Sequence, residues 1–354
     1  RGDPLQAGAP RFQSIQQVMS RILVTGGLGY IGSHTAVELM AKGHEVVLAD
    51  NLSNTRASVL DGITTIAGKR PSWVNIDLAD AAETQAFFAG NAFDAIIHFA
   101  AFKAVGESVE KPMMYYKNNV NALMHVLDYV VSNPSCACIF SSSCTVYGQA
   151  DHLPIAEDAP IKQAASPYGM TKQIGESMLA DAAKAHGLKV TALRYFNPIG
   201  AHPSALIGEL PLGPPQNLVP VITQSAAGLR GPLQVYGKDY PTADGTAVRD
   251  YIHVVDLALA HIAAMDHLMR QKGGDMHVFN LGTGKGSSVL SVIQAFEDAT
   301  GKTLSWAFAP RRAGDVVAAY ADTKRAASVL GWQAQRSLAE GMKDAWRWQE
   351  GLTA

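Results

Sequence analysis

Short apolar runs alternate with helical periodicity through the first half of the chain. Arg21 to Thr25 (RILVT) is apolar and partly β-branched, the pattern of a strand buried on both faces. A glycine-rich turn, Gly26 to Gly32, follows directly. From Ile31 to Lys42 apolar side chains recur at helical spacing, and Gly43 ends them. Glu45 to Ala49 is a second apolar run, ending at Asp50. Further strands are predicted over Ser72 to Asp77, Asp94 to Ala100, Ala137 to Ser142 and Lys189 to Arg194, with a helix over Tyr115 to Ser132. Strands separated by helices predict an α/β, Rossmann-type doubly wound parallel sheet.

From Asn197 the alternation lapses and Pro and Gly recur up to Pro241. Later elements are a helix from Val255 to about Arg270, a strand over Val278 to Leu281 and a helix from Ser288 to Thr300. This predicts three parts: an N-terminal extension (1–18), a Rossmann domain (19–196) and a smaller mixed α/β domain (197–354). The extension lacks the charged start and apolar centre of a signal peptide, and Met19 reads as the natural start.

Composition narrows the function. Hydrophobic residues make up 47% and charged residues 17%, with a net charge of −2. No basic field of the kind that captures nucleic acid is present, so an anionic ligand must be held by a few local groups. No apolar run approaches the ~18 residues of a membrane span. The three cysteines, Cys136, Cys138 and Cys144, have no disulfide-framework or zinc-site spacing, which predicts a reducing cytosol and no metal.

The first turn carries the first chemistry. Gly26, Gly29 and Gly32 sit between a strand and a helix, where the backbone can approach a pyrophosphate and free amides meet it. Asp50 lies 18 residues beyond Gly32, placed to accept from an adenosine ribose and to repel a 2′-phosphate. NAD is therefore expected. Asp50, Asp77, Ala100, Ser143 and Phe196 all fall at strand C-termini, where open parallel sheets bind ligands. His98, inside a strand, reads as a core histidine.

The second chemistry is Ser166-Pro167-Tyr168-Gly169-Met170-Thr171-Lys172. Ser166 is a helix cap and Pro167 a first helical residue. Tyr168 and Lys172 then share a helix face. An ammonium beside a phenol is expected to lower the phenol's pKa and make Tyr168 a base. Arg249, Arg311 and Arg312, in the covering domain, suggest a second phosphorylated ligand. Ion pairing with Asp250 and Asp315 is the other reading of Arg249, and the favoured one for Arg311.

Long stretches carry a resemblance: Val24 to Thr35, Lys103 to Ser108, Ser141 to Gly148, Arg194 to Pro198 and Val248 to His253. From Arg21 to Trp348 the sequence resembles the UDP-glucose 4-epimerases, of the extended short-chain dehydrogenase/reductase class. The resemblance implies that NAD meets Tyr30, Ile31, Asp50, Asn51, Asn54, Thr55, Asp77, Leu78, Phe99, Ala100, Ala101, Lys103, Asn118, Tyr168, Lys172 and Phe196. It implies Tyr168 as base, Ser143 as its hydrogen-bonding partner, and a UDP-sugar on Asn197, Asn217, Leu218, Gln234, Tyr236, Arg249, Arg312 and Asp315. UDP-glucose and UDP-galactose would be interconverted through a 4-keto sugar that turns over before hydride returns. Family members restricted to hexoses often carry a tyrosine where Ala319 stands, so Ala319 is expected to admit UDP-GlcNAc and UDP-GalNAc unless a neighbouring side chain fills the space. Cys144 stands where the family often has alanine and reads as a small core residue. The family analogy also implies a homodimer packed through the helices near 115–132 and 168–184.

Two other readings stay open. A nucleotide-sugar 4,6-dehydratase or decarboxylase of the same fold would need a carboxylic acid beside the serine, but Ser143-Cys144-Thr145 has none. A non-catalytic NAD sensor would share the fold without the chemistry.

Overall fold

The computed structural model describes residues 19–312 and 315–353. The expected extension (1–18) and Ala313-Gly314 lie outside the described residues.

The chain opens with β1 (Arg21–Thr25), α1 (Tyr30–Ala41), β2 (Glu45–Asp50), α2 (Val59–Ala67), β3 (Ser72–Asn75), α3 (Ala81–Ala89) and β4 (Ala95–His98). Sequence periodicity did not pick out α2 or α3. The start of α3 nevertheless carries a cap signal: Asp80 accepts from the Glu83 amide at 2.9 Å, and the Glu83 carboxylate reaches back to the Asp77 amide at 3.2 Å.

Then come α4 (Val105–Glu110), α5 (Pro112–Tyr115), a π-helical turn (Tyr116–Val120), α6 (Asn121–Ser132) and β5 (Ala137–Ser143). The helix expected over 115–132 is therefore interrupted by five residues of wider winding. Such turns often mark functional positions, and this one holds Asn118. α7 (Pro167–His186) starts as its sequence requires, with the Ser166 hydroxyl accepting from the Gly169 amide at 3.2 Å.

β6 (Val190–Tyr195) leads into β7 (Asn197–Ile199), α8 (Leu218–Ala226), β8 (Leu233–Tyr236), β9 (Val248–His253), α9 (Val254–Met269) and β10 (Met276–Leu281). The chain continues through β11 (Gly286–Ser288), α10 (Val289–Thr300), β12 (Trp306–Ala309), β13 (Ala318–Ala319) and α11 (Leu338–Thr353).

The main sheet has seven parallel strands in the order β10-β6-β5-β4-β1-β2-β3. Its two faces bury alternate residues, as a pleated strand must. Ile22, Val24, Leu48, Ile97, Ile139 and Leu193 face one core, which α1 and α9 help to close. Leu23, Val47, Ile96, Cys138, Phe140 and Ala192 face the other, with α6 and α7.

The simple division at residue 196 is corrected here. β10 is the seventh strand of the main sheet, and α9, buried along most of its length, packs on α1. The chain leaves the first layer after β6 and re-enters it for α9 and β10. The second layer is built on β9, which pairs with β7, β11 and β13, and on the parallel pair β8–β12. A third core, including Val219, Leu233, Tyr251, Phe296 and Trp346, holds it together.

Candidate active site

The turn after β1 is built for close approach. Gly26 has φ +63°, and a Cβ there would stand 2.9 Å from the Ala100 amide nitrogen. A Cβ on Gly32 would stand 2.2 Å from the Gly26 carbonyl oxygen, so only hydrogen lets α1 start against the turn. Gly29, at the cap of α1, offers no side-chain acceptor, and the first turn contains no acid. The amides of Tyr30 and Ile31 thus face outward with the positive end of the helix dipole, a fit for a pyrophosphate.

Asp50 ends β2. Its carboxylate accepts from the Leu28 amide at 3.0 Å and the Leu52 amide at 2.9 Å. Burial raises its pKa, and these amides oppose the rise. Thr55 is buried and donates to the Leu28 carbonyl at 2.7 Å; Asn51 accepts from the Ser53 amide, and Asn54 is exposed. Asp77 lies past the tip of β3 and accepts from the Ala79 amide, beside buried Leu78. Phe99, Ala100 and Ala101 follow β4. Lys103 pairs with Glu209 at 3.0 Å, and Asn118 donates to Asn119 at 2.9 Å. Phe196 is buried just beyond β6. These residues, expected on the cofactor side, come from the C-terminal ends of the parallel strands and the segments beyond them. His98 is a satisfied core histidine: its Nδ1 meets Thr25 Oγ1 at 2.9 Å, and burial pushes it down to about 3.

Ser143 terminates β5, and Tyr168 lies in the first turn of α7; both are buried. The Ser143 hydroxyl accepts from the Thr145 amide at 3.2 Å and is near enough to the Tyr168 phenol to act on its pKa. Lys172 Nζ stands 5.9 Å from the Tyr168 ring centroid and donates to the Ser141 carbonyl at 2.6 Å. One strand therefore fixes both neighbours of the phenol: it ends in the Ser143 side chain, and its backbone two residues earlier holds the Lys172 amino group.

The electrostatics differ from expectation. Burial, with Tyr195 nearby, raises the Tyr168 pKa; the Ser143 hydroxyl opposes this without reversing it. Burial also pushes Lys172 down to about 7, against the pull of Glu176. In the protein alone the expected acidic phenol is thus reversed, because both charged forms lose water at a site nearly closed to it.

The second layer supplies a separate cavity of ≈690 Å³. Asn197, Asn217, Leu218, Gln234, Tyr236, Arg249, Arg312 and Asp315 all line it. Arg249 donates to the Val248 carbonyl at 2.8 Å and approaches Asp315 at 3.4 Å; Arg312 lies 4.0 Å over the Tyr236 ring. Arg311 instead pairs with Asp239 at 2.8 Å, the ordinary surface role expected of it. Sequence reasoning missed Arg230 and Tyr251 in this lining. Arg230, a cation in a Gly/Pro-rich loop, was the available signal. Ala319 does not line the cavity. It pairs with Arg249 across β13 and β9 and lies in one apolar cluster with Phe196, against which Cys144 packs.

A buried phenol between a serine and a lysine, in a chain that also has a glycine-rich turn and an arginine-lined cavity, is the equipment of a nucleotide-sugar enzyme. The family model described as GDP-mannose 4,6 dehydratase matches residues 23–345. A UDP-glucose 4-epimerase of Neisseria meningitidis is 48% identical over 331 residues, 93% of this chain and 97% of that one.

The chain belongs to the UDP-glucose 4-epimerase family.

Two solved members of the family align closely. The enzyme of Stenotrophomonas maltophila, with bound NAD and formylated UDP-arabinopyranose, is 47% identical with a TM-score of 0.90, covering 94% of this chain and 99% of that one. That of Bifidobacterium longum, in complex with NAD⁺ and UDP, is 45% identical with a TM-score of 0.89, covering 94% and 98%. The dehydratase-named model spans the same fold, yet Ser143-Cys144-Thr145 lacks the carboxylic acid that elimination needs. Among the described residues no group of His, Cys, Asp and Glu could hold a metal, and no helix is long and apolar enough to cross a membrane.

Proposed function

We propose that the chain interconverts UDP-glucose and UDP-galactose by reversible oxidation at the sugar's C4, with NAD as a resident cofactor. The observation that carries this is the Ser143–Tyr168–Lys172 group at the end of β5 and the start of α7, with an arginine-lined cavity in the second layer.

The glycine turn and the α1 amides hold the pyrophosphate, and the Asp50 carboxylate takes the adenosine ribose and disfavours a 2′-phosphate. When bound, NAD supplies a hydride acceptor whose positive ring favours the phenolate of Tyr168. Tyr168 Oη takes the 4′-hydroxyl proton of the sugar, and Ser143 Oγ orients that oxygen. Lys172 stabilises the phenolate, anchored by the Ser141 carbonyl. Arg249 and Arg312 bind the diphosphate with charge-assisted hydrogen bonds, while Asn217, Leu218, Gln234 and Tyr236 hold the uridine end. The nucleotide is the anchor, so the 4-keto sugar can turn about its link to UDP and present either face. Once the oxidation at C4 is reversed on the face presented, with hydride restored to the carbon, Tyr168 returns the proton to its oxygen and either epimer is complete.

N-acetylated UDP-sugars belong to the same reading on the small side chain of Ala319, which pairs with Arg249 of the cavity lining, while the neighbouring Tyr320 ring lies against Gly286. We place the enzyme in a reducing cytosol on its free cysteines and expect a homodimer through α6 and α7. Met113 and Met124 are exposed on segments packed beside α7.

The test is incubation of purified protein with UDP-galactose and no added NAD. UDP-glucose is the expected product. A 4-keto-6-deoxy sugar nucleotide, or no product, defeats the proposal.

A further inference from the structure

Epimerisation by turnover of a tethered sugar makes a geometric demand. The nucleotide anchor and the cofactor must keep one spacing while the sugar between them moves. Glu209 is where the two sides meet. Its Oε1 accepts from Lys103 Nζ at 3.0 Å and from Asn217 Nδ2 at 2.7 Å. Lys103 belongs to the segment after β4 on the cofactor side and lies 5.9 Å from the Tyr30 ring, at the start of α1. Asn217 precedes α8 and lines the arginine-bearing cavity.

Two further details say that this junction is built. Asn217 stands at the cap of α8, yet its side chain makes no cap hydrogen bond and turns to Glu209 instead. The Glu209 backbone is itself pinned, its carbonyl accepting from Trp348 Nε1 of α11 at 3.0 Å. The carboxylate is thus a fixed post with one arm to each ligand-facing element. The Glu209 side chain is 13% exposed and that of Lys103 48%, so the junction can be altered without opening a core.

Resting on the epimerase reading above, we propose that Glu209 is a positioning residue that couples the cofactor side to the nucleotide anchor through Lys103 and Asn217. The test is a double-mutant cycle on the holoenzyme, reading the Kd of UDP by calorimetry. Lys103→Ala is expected to weaken UDP binding about 5–10-fold although Lys103 lies on the cofactor side, the loss expected for one half-exposed charge-assisted hydrogen bond. In a Glu209→Ala background the same Lys103→Ala change is expected to shift the Kd less than about 2-fold, because the arm it acts through is gone. Glu209→Gln keeps an acceptor oxygen for Asn217 and serves as the milder variant. It is expected to fold like the native chain and, since the same oxygen accepts from Lys103 but without charge, to show a Lys103 effect between those of the native and Glu209→Ala backgrounds.

Equal effects of Lys103→Ala in both backgrounds overturn the coupling, as does a native Kd in Glu209→Ala. UDP binding is read without turnover, so a chain that binds UDP but does not convert UDP-galactose defeats the epimerase reading, and additive mutations in an active enzyme defeat only this one.

Discussion

Replacing Tyr168 by phenylalanine removes a single oxygen from a nearly closed site. The ring is 8% exposed, and the Ser143 hydroxyl is the group beside it that favours its charged form. In folding, the change gives up at most one hydrogen bond, about 0.5–1.5 kcal/mol net, and also removes a polar atom that burial penalises. Thermal unfolding is therefore expected to move by a few degrees at most. In catalysis the same oxygen is the only base named for the 4′-hydroxyl, so turnover is expected to fall by about 10²–10⁴, or roughly 2.7–5.5 kcal/mol on the barrier. The two magnitudes differ enough to separate a chemical role from a structural one. The assay follows UDP-galactose conversion by holoenzyme, with bound cofactor measured on the same sample and expected to be unchanged. Turnover within about tenfold of native, with cofactor retained, would falsify the assignment of Tyr168 as base.

Lys172 gives a pH prediction. Burial holds it down to about 7, below the unfolded value of ~10.4. Between these two the unfolded chain binds more protons, so the contribution of Lys172 to stability improves as pH rises. Native unfolding free energy should rise from pH 7 to pH 9 relative to Lys172→Met; a constant difference refutes the depressed lysine. Gly32→Ala puts a Cβ 2.2 Å from the Gly26 carbonyl, so α1 must shift and the purified protein should carry less bound dinucleotide. Full cofactor content at native stability would count against the glycine turn as the pyrophosphate cradle. Ala319→Tyr fills space beside Phe196 and should cut kcat/KM for UDP-GlcNAc by about 10²-fold, with UDP-galactose within tenfold; an equal loss for both sugars removes Ala319 as the selective residue.

Much of the site was readable because its parts are local in sequence. Ser166 caps α7 three residues ahead of the amide it accepts from, so Tyr168 and Lys172 had to share a face. The strand–glycine–helix–strand order and Asp50 are likewise local, and the expectation of a dinucleotide turn rests on them. The arginine-bearing segments were visible as residues, and eight of the side chains expected around a UDP-sugar do line one cavity.

The rest depended on distance along the chain. Nothing within Met276 to Leu281 says that it pairs with β6, 86 positions earlier, because a parallel strand's partner is remote and its hydrophobicity suits either layer. The Glu209 junction joins a lysine 106 positions away to an asparagine 8 positions on, and only the folded chain brings all three together. The direction of the Tyr168 shift in the protein alone differs from the expectation for the same reason. Sequence spacing gave the lysine's place beside the phenol, but the sign of the shift follows from how much water the surrounding layers remove. Turns, caps and strand patterns depend on neighbouring residues, and the sequence alone determined them; pairing, burial and electrostatics depend on what folds against them, and the tertiary structure decided those.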